Sequence, residues 1–379
     1  MQWYKQGGIF MSSAKHAATR RRLPLLVRIL LGILLVLVLL VGGYLIYYFT
    51  TYYRIEDNLV LDVTNASTED TAQPNTTYTI GTWNLGFGAY SVDYSFFMDG
   101  GTESRARSAE EATSNIEGAA STMASFSPDF VFFQEVDVDS TRAHHVNEYA
   151  LATSYFPSSD NVIAINFDSP YLFWPLIQPH GKSLSGIVTL SRFSIQSSLR
   201  RSLPIDKGLS RVVDLDRCYS ISEINVSNGK KLYLINIHAS AYSSEAETVP
   251  SQMKQLAADL EKYYANGENY VIVGGDFNQD LPGDSAEKLN GSSETHSWAR
   301  AFDRSYLPDG FSVADYTQSE LVPSCRDCDT GYVEGETFVI CVDGFLVSDN
   351  VNVQSVEVQN EGFLYTDHNP VLMQFSLES

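Results

Sequence analysis

Positive charge is scarce in this chain. Its 379 residues include 25 Lys and Arg against 46 Asp and Glu, for a formal net charge of −21. Lys5, Lys15, Arg20, Arg21, Arg22 and Arg28 all precede residue 50, where there is no acid. Residues 50–379 therefore hold 19 bases against 46 acids, a net of −27, with no run of three basic residues. Non-specific affinity for nucleic acid comes mostly from Lys and Arg neutralising phosphates. Most of this surface must repel DNA, and only local basic patches or a bound metal could offset that. Cysteine is sparse too: Cys218, Cys325, Cys328 and Cys341. Cys325-Arg326-Asp327-Cys328 has the spacing of a metal half-site or redox pair, but no second pair and no His pair completes a zinc site. No internal repeat is present.

Charge of either sign is missing from residues 29–49. At a rise of about 1.5 Å per residue this stretch crosses a hydrocarbon core about 30 Å thick. It is too long for the apolar region of a secretory signal, and no clear small-x-small cleavage site follows. We expect an uncleaved transmembrane signal-anchor, with a cleaved signal peptide as the alternative. The basic residues ahead of it place the tail 1–28 in the cytoplasm and the rest outside the plasma membrane. Tyr44, Tyr47, Tyr48, Tyr52 and Tyr53 would form an aromatic belt at the outer interface. Outside the membrane, one or two disulfides are expected at least as readily as a metal half-site or redox pair, for example between Cys328 and Cys341, with free buried thiols as the alternative. Sequons at Asn65, Asn75, Asn225 and Asn290 matter only in a glycosylating host. Residues 50–76, polar and without periodicity, read as an extracellular linker, and the domain begins near Thr77.

Five polar clusters punctuate residues 77–379: Thr82-Trp83-Asn84, Gln134-Glu135-Val136-Asp137, Asn236-Ile237-His238, Gly275-Asp276-Phe277-Asn278 and Thr366-Asp367-His368-Asn369-Pro370. The first four follow apolar runs such as Phe130–Phe133 and Tyr270–Val273 that read as buried strands. Polar groups at strand ends can meet on one rim of a sheet. Further strands are expected at Val162–Asn166, Ile187–Leu190, Tyr219–Asn225, Gly344–Val347 and Val371–Phe375. Ser108-Ala109-Glu110-Glu111 has the form of a capping box opening a helix whose Ile116, Ala119, Ala120 and Met123 share a face. A second helix is expected from Ser251 through Tyr264. The alternation implies an α/β fold of two packed β-sheets with helices outside, after one transmembrane helix.

In order and content these clusters resemble the endonuclease/exonuclease/phosphatase superfamily, over about residues 77–377. That group includes deoxyribonucleases, abasic-site endonucleases, inositol-polyphosphate 5-phosphatases and neutral sphingomyelinases. Val342-Asp343-Gly344-Phe345-Leu346-Val347-Ser348 fits a further acidic element of the family. Thr366 replaces the usual Ser and keeps the hydroxyl, whereas Gly344 stands where nucleases often carry an aromatic residue. The resemblance implies a four-layer α/β sandwich and a metal-dependent phosphoesterase. Carboxylates would hold Mg²⁺, or Mn²⁺, which neutralises the phosphate and polarises its oxygen. Glu135 is the expected main metal ligand, with Asn84 and Asp367 completing or orienting the shell. His368 is the expected acid/base, with Asp343 on its other ring nitrogen. Asp276 would position water, and Asn278 and His238 would donate to phosphoryl oxygens.

Arg105, Arg107 and Arg142 lie in less generic loops and could set cations near the phosphate or be ordinary surface charge; Arg142 is the expected substrate contact. Tyr171-Leu172-Phe173-Trp174-Pro175-Leu176-Ile177 is a buried cover or an exposed lipid contact, and burial is expected. The acidic surface favours a lipid-derived or small phosphorylated substrate over nucleic acid. An extracellular nuclease is the alternative. A catalytically silent binding module is disfavoured, since binding alone needs no such full set.

Overall fold

The computed structural model describes residues 23–208, 211, 214–241, 245–291, 296 and 298–379. Most of the tail expected over 1–28 lies outside the described residues. The chain divides into two units, Met1–Thr51 and Tyr52–Ser379. In the first, helix α1 spans Leu25–Thr51, a wider range than the uncharged run. It starts just after Pro24, where a missing amide hydrogen costs nothing. Its most apolar window has a mean hydropathy of 3.0 with none of it buried, and by length and composition it can cross a membrane.

The second unit is built on two sheets. One runs β15 (Val351–Val358), β16 (Val371–Leu377), β3 (Tyr78–Asn84), β4 (Phe130–Asp137), β6 (Leu184–Ser191) and β5 (Asp160–Asp168) in spatial order. The other runs β1 (Leu59–Val60), β7 (Ile195–Ser202), β8 (Cys218–Val226), β9 (Lys231–His238), β10 (Tyr270–Asp276), β14 (Asp343–Ser348) and β11 (Phe311–Val313), with β2 (Thr71–Ala72) beside β8. A small ribbon pairs β12 (Cys325–Arg326) with β13 (Val339–Ile340). All five additional strands expected from sequence fall inside these elements.

The period of two along each strand sorts its side chains. Ile80, Phe130 and Phe132 meet Leu234, Ile272 and Phe345 between the sheets. The intervening Val131 and Phe133 face outward onto Ile116, Ala119, Ala120 and Met123 of α2 (Ala109–Ser125). Short α3 (Glu148–Thr153) adds Ala152 to that layer. On the opposite side Ile235, Val271 and Val273 carry Met253, Leu256 and Leu260 of α4 (Thr248–Tyr264), and α5 (Ser285–Asn290) packs Ala286 near the ribbon. The result is the expected sequence of helix, sheet, sheet and helix.

Local signals are partly rearranged. Ser108 caps α2 by accepting from the Glu111 amide, but Glu111 accepts from the amide of Arg107 rather than that of Ser108. Helix α4 begins before Ser251 because Pro250 is tolerated in a first turn. The expected linker is a larger departure: residues 52–76 belong to the domain. β1 pairs with β7, β2 with β8, and Thr64 bridges Asn161. Asp160 accepts from the amides of Ala66 and Ser67 at 2.7 Å each, and Arg54 pairs with Asp216 at 3.1 Å. A polar segment that adds to sheet edges satisfies its backbone there and needs little apolar surface of its own.

The expected disulfides are not formed, and all four cysteines are free and buried. Cys328 sits among Phe87 and Tyr90, Cys325 packs on Ile340 and Val342, and Cys341 points its thiol at the Val322 carbonyl, 3.4 Å away. Residues 171–177 are also not the buried cover that was expected: Trp174, Leu176 and Ile177 are exposed.

Candidate active site

Strand direction explains why five distant clusters meet. β3 and β4 run parallel, with Asn84 opposite Gln134. β9 and β10 also run parallel, with Asp276 opposite His238. The C-terminal ends of all four strands therefore carry Asn84, Glu135, His238 and Asp276. β14 runs antiparallel to β10 and starts at that rim, so Asp343 lies opposite Asp276. β16 starts beside β3, with Val371 opposite Thr82, which returns residues 366–369 to Asn84. Two local devices aim the side chains. The pairing of β4 with β6 shifts between Phe133 and Val136, and Glu135 at this bulge has φ 53°. A non-glycine residue there costs on the order of 1–3 kcal/mol and persists only where its surroundings hold it. Gly275 has φ +142°, and an added Cβ would stand 2.0 Å from the Ile237 carbonyl oxygen, so only glycine lets β9 and β10 approach this closely.

The gathered groups form one connected set. Asn84 donates to Asp276 at 3.0 Å and to Glu135 at 3.3 Å, while its own oxygen accepts from the Gly86 amide. His238 Nε2 lies 3.6 Å from Asp276 and 3.9 Å from Glu135. His368 Nε2 is 3.8 Å from Asp276, and its Nδ1 bonds Asp343 at 2.8 Å. Asp343 is held in turn by the Ser324 hydroxyl at 2.8 Å. Asn278 closes the rim, its amide nitrogen donating to the Ala239 carbonyl at 3.1 Å.

The two histidines are driven apart electrostatically. Burial disfavours the His368 cation, but Asp343, Cys325 and Asp367 overcome this and hold its pKa well above the usual value. Burial, with Arg217 and His368 nearby, holds His238 well below it, in the neutral form. Burial and the adjacent Asp343 raise Asp276 to about 7, against the opposing pull of His368. Burial likewise raises Glu135, while Arg142 opposes the rise. Titratable groups with opposed shifts in one cleft mark a site equipped to move protons.

Comparison with known proteins agrees with this geometry. The model of the Endonuclease/Exonuclease/phosphatase family matches residues 81–368. The chain belongs to that family. Among solved structures, an endonuclease/exonuclease/phosphatase from Bacteroides vulgatus is similar with a TM-score of 0.51 and 17% identity, covering 80% of this chain and 100% of its own. One from Beutenbergia cavernae DSM 12333 gives 0.53 and 14%, covering 80% of this chain and 72% of its own. ANGEL2, described as a 2',3'-cyclic phosphatase, gives 0.50 and 14%, covering 85% and 99%. No curated protein matches the sequence. As a member of this family the chain is a phosphoric ester hydrolase, and the family depends on divalent metals.

The donor set suits such an ion. Glu135, Asp367 and Asp276 are hard oxygen donors on one rim, and Glu135 remains partly open to solvent. A sparse carboxylate site of this kind is what a small, strongly hydrated cation prefers. Asp276, Asp343 and His368 also lie within 4.8 Å of one another. Asp343 there bonds His368, and Asn84 presents its amide hydrogens to the Asp276 and Glu135 carboxylates.

Arg142 departs from expectation. It is buried, its fork grips Asp137 at 2.8 and 2.9 Å, and it stacks 4.0 Å over the Phe87 ring. It influences Glu135 through space, with two of its nitrogens spent on Asp137. Arg107 is likewise tied up, by Asp93 and Glu103. Other site residues were given no role by sequence reasoning. Trp83 donates its indole N–H to the His368 carbonyl at 2.8 Å, and Thr366 donates to the Asn84 carbonyl at 3.0 Å. Gln134 of one sheet donates to Asn236 of the other at 2.8 Å, a buried polar bolt beneath the rim. Cys328 directs its thiol at Asp367, 3.5 Å away. Trp83, Gln134 and Asn236 lie inside the five clusters, and that was their only signal, whereas Thr366 was also marked by the hydroxyl it keeps in place of Ser.

Proposed function

We propose that this chain is a membrane-anchored, Mg²⁺-dependent phosphoesterase that hydrolyses a lipid-derived or small phosphorylated substrate. Its helix α1 would be a single-pass anchor in the plasma membrane with the catalytic domain outside. The observation that carries the chemistry is the placement of Glu135, Asp276, His238 and the His368–Asp343 pair on one rim with opposed proton affinities. Glu135 and Asp367 would hold the ion, and Asn84 would keep Glu135 and Asp276 in position. When bound, the ion supplies positive charge that offsets the phosphate and polarises its oxygen.

The chain's own groups would do the rest. Asp276 faces both histidines and would orient the attacking water and accept its proton. His368, kept cationic by Asp343 on its Nδ1, would offer Nε2–H to the phosphate or the departing oxygen. Neutral His238 and the Asn278 amide would donate to phosphoryl oxygens as charge builds. The preference for a lipid-derived or small ester rests on the −27 balance of residues 50–379, which repels a polyanion over most of the surface. The orientation rests on the basic residues ahead of the helix.

The test is a substrate panel on the purified full chain: a chromogenic phosphodiester, sphingomyelin, phosphoinositides and plasmid DNA, each with and without chelator. Turnover should vanish in chelator, return with Mg²⁺ or Mn²⁺, and favour a small or lipid ester. Salt-insensitive DNA cleavage exceeding every other activity would overturn the substrate class. Full turnover after exhaustive chelation would overturn the metal.

A further inference from the structure

Between β5 and β6 the chain makes a loop whose base is pinned and whose tip is apolar. At the base, Ser169 bonds Ser183, and Leu172 and Gly181 exchange backbone hydrogen bonds at 2.8 and 3.0 Å. Gln178 and His180 are fastened to Ser104. At the tip, Trp174 is 60% exposed, Leu176 66% and Ile177 101%. An acidic, water-facing domain gains nothing by holding three such side chains in solvent. A cluster of this kind marks a surface that something covers.

The chain enters this unit beside the base of that loop. Tyr52 is bonded directly to Thr51, the last residue of α1. Within the second unit, Tyr52, Tyr53 and Arg54 line a small cavity together with Phe167, Pro170 and Leu172, the base of the same loop. The Tyr53 hydroxyl bonds Asp168, and Arg54 is clamped by the Asp214 and Leu215 carbonyls and by Asp216. Residues 52–54 thus belong to this unit by their own contacts. The residue that leaves that helix is already seated beside the loop that carries the apolar tip.

We infer that the Trp174–Ile177 tip inserts into the surface of the bilayer that holds α1, giving the catalytic domain a second membrane contact. The inference rests on α1 being an anchor. Trp suits the headgroup level, and Leu and Ile the acyl boundary beneath it. The net negative charge of the domain selects zwitterionic lipid, because attraction to anionic headgroups would need an excess of Lys and Arg, and here 19 face 46 acids. The base of the loop packs on the segment that follows Glu135. His180 lies near Arg142, and an added Cβ at Gly181 would be 2.3 Å from Thr141, in the segment that follows Glu135. The site thus faces its substrate from a domain held against lipid at two points.

The test uses the full chain in phosphatidylcholine vesicles. Because all four native cysteines are buried, an environment-sensitive fluorophore can be placed on Ile177→Cys, with Ser227→Cys in the exposed β8–β9 turn as control. The Ile177 label should shift to the blue and lose most of its emission to brominated acyl chains, while the Ser227 label does neither. Adding Trp174→Gln and Leu176→Gln should return the Ile177 label to its aqueous emission. If the chain floats with vesicles but the Ile177 label stays aqueous, the inference fails and the anchor stands. If the chain does not float, the anchor fails and this placement with it. A blue shift that grows with protein concentration and ignores brominated lipid would mean that a second copy covers the tip, overturning the inference.

Discussion

Lowering the pH from 6.5 to 4 should weaken the catalytic domain by about 3 kcal/mol through His180 alone. This imidazole is buried beneath the 169–182 loop, 6.3 Å from each of the Phe87 and Phe167 rings and 6.5 Å from that of Phe97. It hydrogen-bonds the Ser104 carbonyl through Nδ1 at 3.1 Å. Burial, reinforced by the Arg142 cation, holds its pKa at about 3 despite the opposing pull of Asp137. In the unfolded chain the value returns to about 6.5. Above pH 6.5 both states are neutral and the native contribution is complete. Below it the unfolded chain takes a proton that the native state refuses until near pH 3. Stability therefore falls by about 1.4 kcal/mol for each pH unit in that window. Other groups titrate as well, and Asp276, raised to about 7, acts in the opposite sense. The variant His180→Asn isolates the term, since it keeps a donor for Ser104 and does not titrate. Urea unfolding of both chains, followed by near-ultraviolet circular dichroism at pH 7 and pH 4, gives the comparison. The stability difference between wild type and variant should change by about 3 kcal/mol in favour of the variant at pH 4. An unchanged difference would refute the neutral, solvent-excluded imidazole.

Other consequences can be measured separately. His368→Ala and Asp343→Ala should each lower turnover by about 10²- to 10⁴-fold, and the double variant should be little worse than His368→Ala, because paired residues share one effect; additive losses in steady-state kinetics would break the pair. Glu135→Gln should remove most activity with the near-ultraviolet spectrum unchanged, and isothermal titration should show weakened Mg²⁺ or Mn²⁺ binding. Gly275→Ala should cost more than about 4 kcal/mol, because its Cβ meets backbone at 2.0 Å, whereas Gly229→Ala, in open space at φ +89°, should cost about 1 kcal/mol in the same unfolding assay. Protease added to intact cells should cleave residues 52–76 slowly, because β1, β2 and Arg54 fasten them to the domain; rapid release of a fragment beginning near Thr77 would show that segment to be free.

The parts of the fold that were legible share a physical cause. Phe130–Phe133 and Tyr270–Val273 are buried on both faces, so their continuous apolar runs announce interior strands without reference to any partner. The polar residues ending those runs had to lie at a rim, since a strand interior would leave them unpaired. Parallel pairing of β3 with β4 and of β9 with β10 then aligns the ends. The His368–Asp343 pair was expected through the family resemblance, and the structure brings its members together because each begins or precedes a strand at that same rim.

What remained hidden depended on residues far away in sequence. Nothing within Thr64–Ala72 says that Asp160, about ninety positions on, offers its carboxylate to the amides of Ala66 and Ser67, or that β7 and β8 leave edges to which β1 and β2 can add. Arg142 had the sequence setting of a loop cation, but its fork was committed to Asp137 by a turn that only tertiary packing closes. The four cysteines carried no geometry, and their separation into different clusters left them unpaired. The 171–177 run was ambiguous for a deeper reason. An apolar segment meant for the interior and one meant for a bilayer satisfy the same physics, the removal of hydrocarbon from water, and differ only in which neighbour supplies the cover. Composition reports the need for a cover and not its source. The bilayer inferred as that source rests on Tyr52, one bond beyond an apolar helix, lining the base of the same loop.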